Sequence, residues 1–229
     1  MVKNLRLKVL DDNKKEVGLK NDWGWSLIVE SEKWRFIFDA DTRGKIIKYN
    51  SEKMGVNLEN LDFAVLSHYH RDHYGGFNYL GKITNNLKIY VPSKVLPFIE
   101  EWGLKGIPVK EGKEIEEDVW SSGPTGTIGE QAIGIKVEPL GVIVIVGCSH
   151  PGVDILAKKL KELTGEKIYM VIGGFHFPSK STIDNLAKIA EYIAPAHCTG
   201  MGGENYIMRH YENKYIPVKT GSILELGNH

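Results

Sequence analysis

Residues 66–76 read LSHYHRDHYGG and follow the short apolar run FAV at 63–65. His68, His70, Asp72 and His73 fall within six positions, and the whole chain has only eight histidines. In extended backbone, residues two apart point the same way, so His68 and His70 can converge on one ion. Asp72 continues that period and His73 breaks it, which can turn this second pair toward a neighbouring ion. A helical zinc motif would space its histidines by four instead. Imidazole nitrogens with one carboxylate suit Zn²⁺, with Fe and Mn as the other candidates. The stretch reads as a metal loop at a strand end.

Other strand ends carry histidines too. Short β-rich runs bounded by turn residues recur at SLIVE, RFIFDA, FAVLSH, KIYVP, AIGIKV, GVIVIVG and IYMVIGG. His68 ends FAVLSH, His150 follows GVIVIVG, His176 follows IYMVIGG, and His197 follows YIAPA. In α/β folds, ligands gather where strand-end loops converge, so four such histidines point to one site. Later strands alternate with helices. Val153, Leu156, Leu160 and Leu163 have helical spacing, and Gly165 is placed to end that helix. Ile183, Leu186, Ile189 or Ala190, and Ile193 repeat the pattern, with Ser181 and Asp184 as a capping pair. The expectation is one mixed α/β domain over residues 1–229.

Lys+Arg equals Asp+Glu, giving a formal charge of zero. No polybasic run is present either, so neither a nucleic-acid nor an anionic-membrane partner is implied, and the expected substrate is a small molecule. The N-terminus lacks an apolar stretch and cleavage site, so it does not read as a signal peptide. No segment approaches the length of a membrane span. The two cysteines, Cys148 and Cys198, read as free thiols in a cytoplasmic protein. No sequence feature sets an oligomeric state.

His150 in GCSHPG and His197 in PAHCTG are the natural additional ligands, one per ion. His150 could instead cap the helix that follows it. His176 in GGFHF is a candidate ligand, general acid, or structural imidazole between Phe175 and Phe177. Asp39, after the strand RFIF, can accept the second N–H of a metal-bound imidazole, or simply form a turn. Cys148 is a core residue or a thiolate ligand. His210 and His229 carry no assignment. Two ions about 3.5–4 Å apart can share a bridging hydroxide, generating a nucleophile near neutral pH.

The stretch SHYHRDH matches the H-x-H-x-D-H motif of the metallo-β-lactamase superfamily. Together with GCSHPGVDIL, VIGGFHFPS and PAHCTG, it resembles the branch of metal-dependent hydrolases and 7,8-dihydropterin-6-methyl-4-(β-D-ribofuranosyl)aminobenzene-5'-phosphate synthases. The resemblance implies a four-layer αββα sandwich. It implies two divalent ions, most simply Zn²⁺. His68, His70 and His150 would hold one; Asp72, His73 and His197 would hold the other; Asp39 would stand behind them. Asp72 and His176 would be the catalytic residues of a hydrolase acting on an ester or phosphoester, its substrate possessing a phosphate in the latter case. Alternatives are a pterin-diphosphate-dependent transferase and an iron redox enzyme on the same scaffold. The chain departs from the superfamily pattern at Cys148, where a bridging aspartate is usual, and at Glu130, near where a histidine is usual.

Overall fold

A computed structural model describes residues 1–227; His229 lies outside them. In chain order the strands are β1 (Asn4–Asp11), β2 (Ser26–Ser31), β3 (Arg35–Phe38), β4 (Phe63–Val65), β5 (Lys88–Pro92), β6 (Lys105–Val109), β7 (Lys113–Glu116), β8 (Val119–Ser121), β9 (Ile133–Val137), β10 (Gly141–Val146), β11 (Ile168–Gly174), β12 (Ala190–Ala196) and β13 (Ile223–Gly227). The helices are α1 (Gly44–Lys53), α2 (Arg71–Tyr74), α3 (Phe77–Ile83), α4 (Leu96–Ile99), α5 (Val153–Thr164), α6 (Lys180–Ile189) and α7 (Gly200–His210). Two compact units result among the described residues: an N-terminal unit of Asn4–Lys110 with Lys219–Leu226, and a C-terminal unit of Met1–Lys3, Glu111–Val218 and Gly227.

The N-terminal unit holds a mixed sheet in the order β13-β1-β2-β3-β4-β5-β6. β1 to β3 pair antiparallel, and β3 to β6 pair parallel. β1 alternates, with Leu5, Leu7 and Val9 buried between more exposed Asn4, Arg6 and Lys8. Ile28, Ile37, Ala64 and Ile89 pack with Ile47, Phe77 and Leu80 of α1 and α3 into this unit's core. The edge strand β6 carries Pro108, which edge strands tolerate.

The C-terminal unit holds a second mixed sheet in the order β12-β11-β10-β9-β8-β7. β10 to β12 are parallel, and β7 to β10 antiparallel. Every residue of β10 is buried, as expected for a central strand written GVIVIV. α5 buries Val153, Leu156, Ala157 and Leu160, and Gly165 ends it in left-handed conformation, its N–H donating to the Lys161 carbonyl. β7, KEIE, keeps its sheet edge charged.

Two expectations are corrected. α6 stops at Ile189, and Ile193 lies in β12, opposite Val171 of β11. The helix-like spacing there is overridden by strand pairing and by Pro195, which lacks the N–H a helix would need. The cap of α6 is Ser179, whose hydroxyl accepts the Thr182 N–H at 3.1 Å, and not the pair Ser181 and Asp184. Asp184 instead accepts from the hydroxyls of Tyr206 and Tyr211 at 3.1 and 2.7 Å. Among the described residues no helix is long and apolar enough to cross a membrane.

Candidate metal centre

In the N-terminal unit, β4 ends at Val65, three residues before His68. The backbone leaves the sheet because Ser67 bonds to a side chain. Its N–H and hydroxyl each donate to Asp39, at 2.7 Å to Oδ1 and 2.7 Å to Oδ2. His73 Nδ1 donates to the same Oδ2 at 2.6 Å. Asp39 and His73 are both fully buried. An ionised carboxylate accepting at Nδ1 fixes the tautomer and leaves Nε2 with its lone pair. Asp39 itself sits in left-handed backbone, φ 54°, a conformation non-glycine residues adopt reluctantly.

His68 Nδ1 lies 2.9 Å from the Ser67 hydroxyl, and its Nε2 lies 2.9 Å from Nδ1 of His70. Asp72 Oδ2 is 3.7 Å from His73 Nε2 and accepts the indole N–H of Trp23 at 3.2 Å. Five of the residues singled out in the sequence, Asp39, His68, His70, Asp72 and His73, thus form one cluster. The Gly-Gly that follows has a steric cause. A Cβ on Gly75 would stand 2.0 Å from the Thr42 carbonyl oxygen, and one on Gly76 would stand 2.1 Å from that of Ala40.

The C-terminal unit gathers a second cluster behind β10, β11 and β12. The rings of His150 and His176 are 4.2 Å apart between centroids. Both line an open pocket of about 350 Å³ with Gly126, Thr127, Ile128 and Pro151. His176 is exposed; it does not pack as a buried imidazole between Phe175 and Phe177. His197 is buried and opens the turn after β12. That turn is tied to the loop after β11, since Phe175 N–H donates to Thr199 Oγ1 and Phe177 N–H to the Cys198 carbonyl. Cys148 and Cys198 are buried and not disulfide-bonded. Their sulfurs and a ring nitrogen of His176 lie within 4.8 Å of one another. Ser149, His176, Phe177 and His197 all have positive φ, so strained backbone marks this cluster.

Sequence reasoning missed three sets of interactions, although it singled out Glu130 itself as a departure from the superfamily pattern. Trp23 as a partner of Asp72 has no local signal. Glu130, fully buried, turns its carboxylate onto the backbone of residues 148–150. Asp11 and Asp41 are also fully buried in the N-terminal unit, close enough for each carboxyl to perturb the other. Burial, and then the neighbouring Asp41 carboxyl, drives the Asp11 acid far above the usual carboxylate range. Asp41 is raised by burial, against N–H donation from Thr42 and Arg43.

The sequence matches the Metallo-beta-lactamase superfamily model over residues 23–195. The chain belongs to the metallo-β-lactamase superfamily. It is similar to the 7,8-dihydropterin-6-methyl-4-(beta-D-ribofuranosyl)-aminobenzene-5'-phosphate synthase of Methanocaldococcus jannaschii, at 28% identity over 262 residues, covering 88% of this chain and 89% of that one. Among solved structures, it resembles Tm1679, a metal-dependent hydrolase of the β-lactamase superfamily, with TM-score 0.84 and 25% identity over 98% of this chain and 100% of that one. A diphosphatase from the PhnP family shares the fold, with TM-score 0.67 and 14% identity over 99% of this chain and 98% of that one. The α/β metallo-β-lactamase fold expected from the sequence is the fold found, with its two mixed sheets and their helices.

Members of this superfamily generally bind divalent metals, and the residues here fit such ions chemically. Nitrogen ligands on a tetrahedral ion at about 2.0–2.1 Å stand roughly 3.3 Å apart. The 2.9 Å between His68 Nε2 and His70 Nδ1 is close to that spacing. His73 has its outer nitrogen already committed to a carboxylate, the arrangement metal-bound imidazoles use.

Proposed function

We propose that the protein is a metal-dependent hydrolase of a small-molecule ester or phosphoester. His68, His70 and His150 are assigned to one divalent ion, and Asp72, His73 and His197 to a second. Support comes from the family match and from the H-x-H-x-D-H cluster. The observation that carries it is the buried Asp39–His73 pair, the outer-shell arrangement by which metal-ligating imidazoles are oriented.

When bound, divalent ions supply Lewis acidity and an acidified water. This chain's residues do the rest. Asp39 holds His73 in one tautomer and one orientation. Trp23 holds Asp72 Oδ2, so the carboxylate keeps a fixed direction. His176, exposed and beside His150, is the group assigned to protonate the leaving group. The lack of a polybasic run supports a small molecule over nucleic acid.

The test is turnover of ester, thioester and phosphoester panels by protein loaded with Zn²⁺, Mn²⁺ or Fe²⁺. His68→Ala and Asp72→Ala should abolish it while the circular dichroism spectrum stays native. Unchanged turnover in either variant puts the site elsewhere. An iron absorption band in the purified protein with no hydrolysis would favour redox chemistry.

A second reading is favoured by the Methanocaldococcus jannaschii relative, a synthase by name. On that reading the protein is a transferase taking a pterin diphosphate. Diphosphate release that requires an aromatic acceptor, with no hydrolysis in its absence, would select it.

A further inference from the structure

Glu130 lies outside the ligand set assigned above. Its carboxylate nevertheless accepts three consecutive backbone N–H groups. Cys148 and Ser149 donate to Oε1 at 2.8 and 2.7 Å, and His150 donates to Oε2 at 2.7 Å. A change of backbone hand between successive residues turns their amides toward one concavity, and Ser149 supplies it at φ 63°. Such a concave set of N–H groups binds anions in many proteins. Here a side chain fills it. Glu130 is itself held at both ends of its peptide: its N–H donates to the Thr125 carbonyl at 3.0 Å, and its carbonyl accepts the Thr125 N–H at 2.9 Å. The Ser149 hydroxyl fastens the far side of the loop, donating to the Gly174 carbonyl at 2.8 Å.

We propose that Glu130 is a positioning residue for metal binding: it sets the backbone of residues 148–150 so that the His150 imidazole is presented to its cation in one orientation. The proposal rests on the reading of His150 as a ligand. Glu130 does not touch the reacting atoms. A side chain that merely closed the loop would affect stability alone; one that aims a ligand must affect the ion's environment.

The experiment uses the full chain and Co²⁺ as the probe. Glu130→Gln preserves shape but sets an NH₂ group against backbone donors. Its Co²⁺ affinity should fall about 10–100-fold, with shifted visible absorption and a native far-ultraviolet spectrum. Combining it with His150→Ala should weaken binding by no more than about threefold beyond His150→Ala alone, because both changes remove one interaction. Unchanged affinity and absorption in Glu130→Gln, or losses that multiply in the double variant, would overturn the proposal. Absence of turnover with these Co²⁺ effects intact would count against the hydrolase alone. If Glu130→Gln does not fold, Glu130→Asp, which keeps the charge and shortens the reach, is measured in the same way: a weaker Co²⁺ affinity with shifted absorption supports the proposal, and wild-type affinity and absorption overturn it.

Discussion

Replacing Asp39 with asparagine changes one atom at the centre of the N-terminal cluster. The carboxylate accepts from Ser67 N–H, the Ser67 hydroxyl and His73 Nδ1. If asparagine keeps its oxygen toward Ser67 N–H, its NH₂ group meets the hydroxyl and the imidazole. The hydroxyl can rotate toward His68 Nδ1 at 2.9 Å only if that ring also moves its proton to Nε2, because the wild-type hydroxyl proton goes to Asp39. The His73 imidazole can adapt only by moving its proton to Nε2, which removes the lone pair that would hold an ion. The apo protein should lose about 1.5–3 kcal/mol, the usual worth of a hydrogen bond to a charged group. Metal affinity should fall about 10–100-fold, or roughly 1.4–2.8 kcal/mol. Denaturant melts of the metal-free chain read the first quantity, and competition with a chromophoric chelator reads the second. An Asp39→Asn variant that binds metal within twofold of wild type would refute the tautomer argument.

Other substitutions probe separate links. Asp11→Asn should raise stability at mildly alkaline pH: the folded protein keeps a carboxyl proton that the unfolded chain releases, so stability declines as pH rises above the carboxylate range. A pH series of melts showing the variant less stable at alkaline pH would contradict this. Gly76→Ala should cost about 1–3 kcal/mol, because the new methyl group meets the Ala40 carbonyl, and an unchanged melting temperature would count against it. Ser179→Ala should cost about 1 kcal/mol and Ser181→Ala much less; the reverse order in thermal melts would restore the capping pair read from the sequence.

Much of the architecture was legible because apolar β runs and helical spacing are local signals. GVIVIVG and IYMVIGG became β10 and β11, and Gly165 ended α5. The charged strands β1 and β7 were not legible, since NLRLKVLD and KEIE carry too little apolar sequence to stand out. The H-x-H-x-D-H loop declared its chemistry by density alone. Glu130 and Trp23 did not, because their partners lie 18 to 20 and 49 residues away and a lone Glu or Trp has no spacing to read. The extension of α6 failed for a related reason: strand partners are non-local, so the pairing of Ile193 with Val171 is invisible in a window that fits a helix.

The central claim is that histidines from both clusters are metal ligands. Elemental analysis of the purified, metal-reconstituted chain tests it most directly, with His68→Ala, His73→Ala, His150→Ala and His197→Ala compared side by side. The expected result is two ions per chain in the wild type and reduced occupancy in each of the four variants. Full occupancy in His150→Ala and His197→Ala would contradict the account.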